Sequence, residues 1–267
     1  MTGAARVYNR AAMHDALEAP PPNASLRAPQ LATLQGPRPS MRELFSFMSE
    51  AELRFRTLRM RIVDRRFGAA GENSETSEVW LRHPGRAKVI QWRGAGGAGR
   101  DFDVWLGDGE RVRTYDARNH VVTDRTLPPR PVGSTRDDLP GFARVHVPVT
   151  PLPPESLANT FIHPHGFAHN VLASGVVREL GTTTLANGRE ALILRCDHPR
   201  ISHVLTDRPD HWLELGVDRQ TGVLLLLAEH IGGRITRHAE VTALAFDETL
   251  GDEIFTIHVS ADATTIY

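Results

Sequence analysis

The chain has 267 residues, enough to bury a substantial core in one large β domain or two ordinary ones. Hydrophobic residues make up 40% and charged residues 24%, and the net charge is -1, which excludes a global electrostatic field suited to nucleic acid or an anionic membrane. Lys88 is the only lysine, and the single cysteine, Cys196, excludes both an intrachain disulfide and a Cys-based zinc cluster.

Residues 1–39 read as a loose leader, because the segment "EAPPPNASLRAPQLATLQGPRPS" is too rich in proline to continue a helix or join a sheet interior. The N-terminus lacks the apolar core of a signal peptide, and no stretch approaches the roughly 20 apolar residues of a membrane-spanning helix, so the cytoplasm is the expected compartment. Order is expected from Ser40 onward. Ser40 and Glu43 have the spacing of a capping box, and Leu44, Met48, Ala51 and Phe55 recur at helical spacing, which predicts a helix of about three to four turns.

The pattern switches to period two at Leu58, where Leu58, Met60 and Ile62 alternate with arginines. The strand-like segments "SEVWLRH", "AKVIQWR", "DFDVWL", "ERVRTYDA" and "NHVVTDRT" follow, separated by turn residues and by no crossover helix, which predicts an antiparallel meander. A second proline-rich passage between Leu127 and Ser156 leads to one short helix starting near Pro164. The closing segments "VVRELGTTTL", "ALILRCDH", "HWLELGVD", "VLLLLAEH" and "RITRHAEVTALAF" bring the expectation to about nine to eleven strands, a sheet large enough to curl. Val223 to Ala228 form an unbroken run of six apolar residues, so both faces of that strand should be covered.

Candidate chemical motifs are sparse. "RGAGGAG", Arg93 to Gly99, contains a G-x-G-x-x-G, but the alternating segment after it predicts a hairpin loop in place of a phosphate-binding helix start. His163, His165 and His169 in "HPHGFAH" offer a distant metal reading against a bland one of helix-cap and surface histidines. Cys196 sits beside Asp197 and His198, and adjacent strand residues point to opposite faces, so a buried structural thiol is expected. The arginines of "RFRTLRMR" read as a solvated strand face.

The residues Trp212, Glu214 and Asp218, the turn residues Thr221 and Gly222, and the ending Phe246, Asp247, Asp252 and Phe255 carry a family resemblance, joined by "GREALILR". On them the chain from about Ser40 to Tyr267 resembles the LolA/LolB and RseB-type lipoprotein-carrier superfamily, most closely its actinobacterial LolA-like members. The resemblance implies a mainly β (α+β) fold: a half-open antiparallel β-barrel in a single domain, with two short helices plugging the concave side. It implies no catalytic residue, no metal and no cofactor. The chain departs from exported members in having no signal peptide and no lipobox cysteine, which weakens a transport role.

Two functions follow as expectations. One is non-enzymatic binding of an apolar or acyl-chain, lipid-like ligand in a concave cavity; the other is a regulatory protein-interaction module with a sigma or anti-sigma partner. For the cavity, alternation nominates Leu44, Phe45 and Met48 on the first helix and Trp80, Ile90, Trp92 and Trp105 on the meander. Leu213, Leu215, Leu224, Leu226 and Phe246 complete the set on the final hairpins.

Overall fold

The capping box starts the first helix as its spacing predicts: Ser40 Oγ accepts the Glu43 amide at 3.3 Å, and the Glu43 carboxylate accepts the Ser40 amide at 2.7 Å. In the computed structural model, which describes residues 31–94, 101–127, 148–199, 208–259 and 262–266, this helix is α1 (Met41–Ser49) and buries Leu44, Phe47 and Met48. It is shorter than its apolar spacing predicts. A 3-10 turn, Ala51–Arg54, follows it, and Phe55 reaches the core from extended backbone.

Most of the proline-rich leader, residues 1–30, lies outside the described residues. The described compact unit begins at Leu31. Its first residues are tied down by two arginines: Arg54 donates to the Ala32 carbonyl, and Arg219 donates to the Gly36 carbonyl at 2.9 Å.

Six strands run as the expected meander: β1 (Thr57–Gly68), β2 (Gly71–Arg82), β3 (Arg86–Arg93), β4 (Phe102–Gly107), β5 (Arg111–Asp116) and β6 (Val121–Thr126). Two short helices follow, α2 (Leu157–Ile162) and α3 (His165–Asn170). The short helix expected to start near Pro164 is α3; α2 before it was not anticipated, and the two are separated at His163, because the ring of Pro164 disfavours helical backbone in the residue before it. A second meander comprises β7 (Val176–Thr184), β8 (Glu190–Asp197), β9 (His211–Asp218), β10 (Leu224–Ile231) and β11 (Arg234–Phe246), and β12 (Thr264–Ile266) ends the described chain. The glycine run falls between antiparallel β3 and β4; residues 95–100 lie outside the described residues, as do residues 128–147 of the second proline-rich passage.

All twelve strands belong to one sheet in the order β12-β6-β5-β4-β3-β2-β1-β11-β10-β9-β8-β7. The two meanders meet where β1 pairs antiparallel with β11, so the first and last long strands form the middle of the sheet. β6 and β7 consequently lie towards opposite edges, and the chain between them has to recross the sheet. It does so with α2 against β10 and α3 against α1, laying the helices on one face of the curved sheet. That inner face holds the main core, in which Leu58, Met60, Ile62, Val79 and Leu81 meet Leu44, Met48, Phe161, Ile162 and Leu172. Full burial of each such leucine or isoleucine contributes about 1.5–3 kcal/mol.

The run from Val223 to Ala228 lies on interior strand β10 and is covered on both sides. Val217 of β9 opposes Leu224 and Gly216 opposes Leu226, so Leu225 is the extra residue of a bulge. Leu224, Leu225 and Leu227 join the inner core. Leu226 faces the other way, over Gly216 and beside Leu185 of the β7–β8 turn. A smaller outer cluster of Val104, Tyr115 and Val122 is covered by the C-terminal segment through Ile257 and Ala263. Asp252 anchors that segment by accepting from Arg82 and Arg86, and Lys88 donates to the Thr256 carbonyl at 2.8 Å.

Candidate functional site

Cross-strand pairing sorts the inner face into rows that change from apolar to charged along the strands. One row is Leu58, Leu81, Ala87 and Gly107; the next is Met60, Val79, Val89 and Trp105. The row beyond runs Ile62, Ser77, Gln91, Asp103 and Asp116, and the last contains Asp64, Glu75 and Arg93. Helices cover the apolar rows. Where the polarity changes, a cavity of about 430 Å³ opens between β1–β5 and the segment Pro153–Ala158 that leads into α2.

The cavity has an apolar side made by Val89, Trp105, Leu157 and Ala158. Its polar side carries five carboxylates, Asp64, Glu75, Asp103, Asp116 and Glu155, and two guanidinium groups, Arg66 and Arg237. Asp64 is 2% exposed and accepts from Arg237 Nε and Nη2, each at 2.9 Å, and from Arg66 Nε at 3.2 Å. Arg237 makes the forked contact, the strong form of such a pair, while Arg66 bridges Asp64 and Glu75, its Nη2 standing 4.0 Å from the Glu75 carboxylate. Glu75 accepts from Gln91 Nε2 at 2.9 Å. Asp116 accepts from the Asn119 amide at 2.9 Å and from its side chain at 2.7 Å, bonds that hold its carboxyl below the usual range.

Asp103 behaves in the opposite way. Burial pushes its pKa up first and the neighbouring carboxylates Asp116 and Asp101 add to the rise, while Arg93, which bonds both Asp101 and Asp103, opposes it. Trp105 is 9% exposed, and no acceptor among the described residues meets its indole N–H. The wall segment is shaped by Ser156, whose hydroxyl donates to the Pro153 carbonyl at 2.7 Å and accepts the Asn159 amide at 3.1 Å as the cap of α2.

Of the twelve positions nominated by alternation, Trp105 lines this cavity. Leu44, Met48, Leu213, Leu215 and Leu224 are fully buried in the inner core, with Phe45 and Phe246 partly buried against it. Trp80, Ile90, Trp92 and Leu226 stand on the outer face, where Trp80 opposes Arg59, Ile90 opposes Val104, Trp92 opposes Phe102 and Leu226 opposes Gly216. The physical reason is register: each is offset by one residue from an inner-face neighbour, and a pleated strand sends neighbours to opposite faces.

The charged residues of the cavity were missed by the sequence reading, although a signal for them exists. Along β1 the inner positions continue from Leu58, Met60 and Ile62 to Asp64 and Arg66, and along β2 from Leu81 and Val79 to Ser77 and Glu75.

The other motifs resolve locally. His163 Nε2 lies 3.4 Å from Glu52 with both side chains buried, and the rings of His165 and His169 are 4.6 Å apart. Among the described residues no group of three or more His, Cys, Asp or Glu side chains is placed to hold a metal ion. Cys196 is fully buried and its thiol is pushed up to about 11, by burial first and by Asp197 second. No helix among the described residues is long and apolar enough to cross a membrane.

No family model and no curated protein matches the chain. Among solved structures it is similar to MucB at 18% identity, over 82% of this chain and 62% of that one, with a TM-score of 0.46. MucB from Pseudomonas aeruginosa has also been solved in complex with MucA, and there the identity is 17%, over 82% of this chain and 61% of that one, with a TM-score of 0.46. A LolA superfamily protein from Nitrosomonas europaea is 12% identical over 81% of this chain and 97% of that one, with a TM-score of 0.31. The chain thus spans about three fifths of the length of the MucB chains it matches. At scores below 0.5 these likenesses assign no function.

Proposed function

We propose that this domain binds a small amphiphilic molecule in the cavity at the polarity boundary of its inner face, without chemical turnover. The observation that carries this reading is the division of the cavity itself: Val89, Trp105, Leu157 and Ala158 on one side and a carboxylate-rich row on the other. A volume of about 430 Å³ falls in the range of small-molecule sites, roughly 300–1,000 Å³, which are mostly apolar with a few polar groups that fix orientation. The apolar part of a ligand would extend toward the Met60–Trp105 row, and its head would meet the charged rows. Helices already fill the deeper apolar part of the inner face, so the expected acyl-chain occupant is narrowed to a shorter apolar body with a polar head. Binding without turnover is supported by Cys196, a thiol too buried and too weakly acidic to act as a nucleophile near neutral pH.

A regulatory reading keeps one specific support. The edge strand β7 leaves Val176 and Leu180 more than half exposed, as a surface for a sigma or anti-sigma partner would require.

Native mass spectrometry of protein purified from its own host, followed by organic extraction, separates the two. A stoichiometric small molecule that a Trp105→Ala variant fails to retain supports the cavity reading. Small-molecule-free protein that carries a second polypeptide overturns it in favour of the regulatory one.

A further inference from the structure

Glu52 is a buried carboxylate on the 3-10 turn that follows α1. Its Oε2 accepts the Val149 amide at 2.9 Å, and the same oxygen lies 3.4 Å from His163 Nε2. Val149 precedes the cavity wall in the chain, and His163 caps the end of α2. One oxygen therefore touches both ends of the stretch whose middle, from Pro153 to Ala158, walls the cavity.

The first end is held again one residue on. Thr150 is fully buried, and its hydroxyl accepts the Gly85 amide at 2.8 Å and lies 2.7 Å from His83 Nδ1. Leu152 is buried in the core, but Pro154 and Glu155 beyond it are exposed. Glu155 has a φ of +60°, the left-handed region that a residue with a Cβ enters only at a cost. Ser156 then caps α2, whose Ala158, Phe161 and Ile162 are core residues. The segment is thus pinned at Val149 and Thr150, rooted in α2 and strained between the two. Such strain persists only where neighbouring contacts over-determine it.

We infer that residues 149–155 are a strap that moves as a unit about Glu155, and that Glu52 is the clasp that holds it closed. Opening carries Pro153, Pro154 and Glu155 away from the cavity, so a carboxylate apart from the cavity lining sets access to it. The inference concerns the chain alone and stands whether or not the binding reading does.

The test is hydrogen exchange of the full chain, read amide by amide by NMR, in the unaltered protein and in Glu52→Gln, with urea denaturation as the check on folding. Gln keeps the shape but replaces a charge-assisted bond with a neutral one of about half the strength. Two amides report on the strap: Val149, and Ser156, which donates to the Pro153 carbonyl. Both are expected to exchange roughly tenfold faster, by a common factor, with the Leu227 amide of β10 unchanged. Should Glu52→Gln not fold, Thr150→Val releases the same end and carries the same expectation. Glu155→Gly, at an exposed position, relieves the left-handed strain and is expected to slow the same two amides severalfold. Acceleration of Val149 alone would mean that only its own acceptor was lost, and the strap falls. Acceleration shared by Leu227 would make Glu52 a general stability residue, and no acceleration in the folded variant would remove the clasp. Unchanged or faster exchange in Glu155→Gly would overturn the hinge.

Discussion

Arg189 and Asp218 lock two hairpins together: Arg189 Nε and Nη2 donate to the two carboxylate oxygens of Asp218 at 2.7 and 3.0 Å, joining the β7–β8 turn to the end of β9. Asp218 is 1% exposed and also accepts the Thr221 amide at 2.8 Å and the Thr221 hydroxyl at 2.6 Å. Thr221 and Gly222 are the turn residues that bring the chain to β10, and at Gly222, where φ is +85°, a Cβ would fall 2.9 Å from the Phe47 carbonyl of α1. One carboxylate thus sets the turn against which the first helix rests.

Removing it should be costly. Asp218→Ala leaves Arg189 without its fork partner and two donors of Thr221 unmet, a loss of about 3–5 kcal/mol in unfolding free energy. Urea denaturation measures this directly. A loss below about 1 kcal/mol would show that the turn is held by something else.

The bulge in β10 separates neighbours that simple alternation would pair. Leu225→Ala, in the inner core, should cost about 2–5 kcal/mol. Leu226→Ala should couple to Leu185→Ala by about 0.5 kcal/mol or more in a double-mutant cycle, because both side chains close over Gly216 on the outer face. Strict additivity of Leu226→Ala and Leu185→Ala would show that the two side chains do not pack on each other.

His83 should make stability depend on pH. Its ring stacks on Phe55 at 5.4 Å and its Nδ1 lies 2.7 Å from the Thr150 hydroxyl; burial lowers its pKa from 6.5, with Glu52 partly opposing the shift. The folded state therefore binds the proton less readily than the unfolded chain does. Its contribution is fully present above about 6.5 and is lost as pH falls from there through the folded pKa, since protons then accumulate on the unfolded state first. Urea midpoints measured between pH 7.5 and about 5 should fall, and His83→Gln should flatten that fall. An unchanged slope in the variant would assign the dependence to another group.

Much of the architecture was legible because its signals are local. Ser40 and Glu43 make the capping box their spacing announced, and the turn residues divide the two meanders where they were expected to. The break between α2 and α3 was legible in principle, as Pro164 constrains His163 whatever lies nearby. The outer placement of Trp80, Ile90 and Trp92 was not. Alternation shows that Trp80 and Leu81 point to opposite faces, yet nothing local says which of the two faces meets the helices.

The sequence by itself determined the strands, the turns and the two-residue period that groups Leu58, Met60, Ile62 and Asp64 on one side of β1. Only the tertiary structure decided that Asp64 stands beside Glu75, that Arg237 reaches across from β11 to meet it, and that Asp103 faces Asp116. Those neighbours follow from strand register and from the pairing of β1 with β11, near opposite ends of the described chain. Register is set by the packing of a whole face, in which a slip of one residue would turn every core side chain to the opposite side.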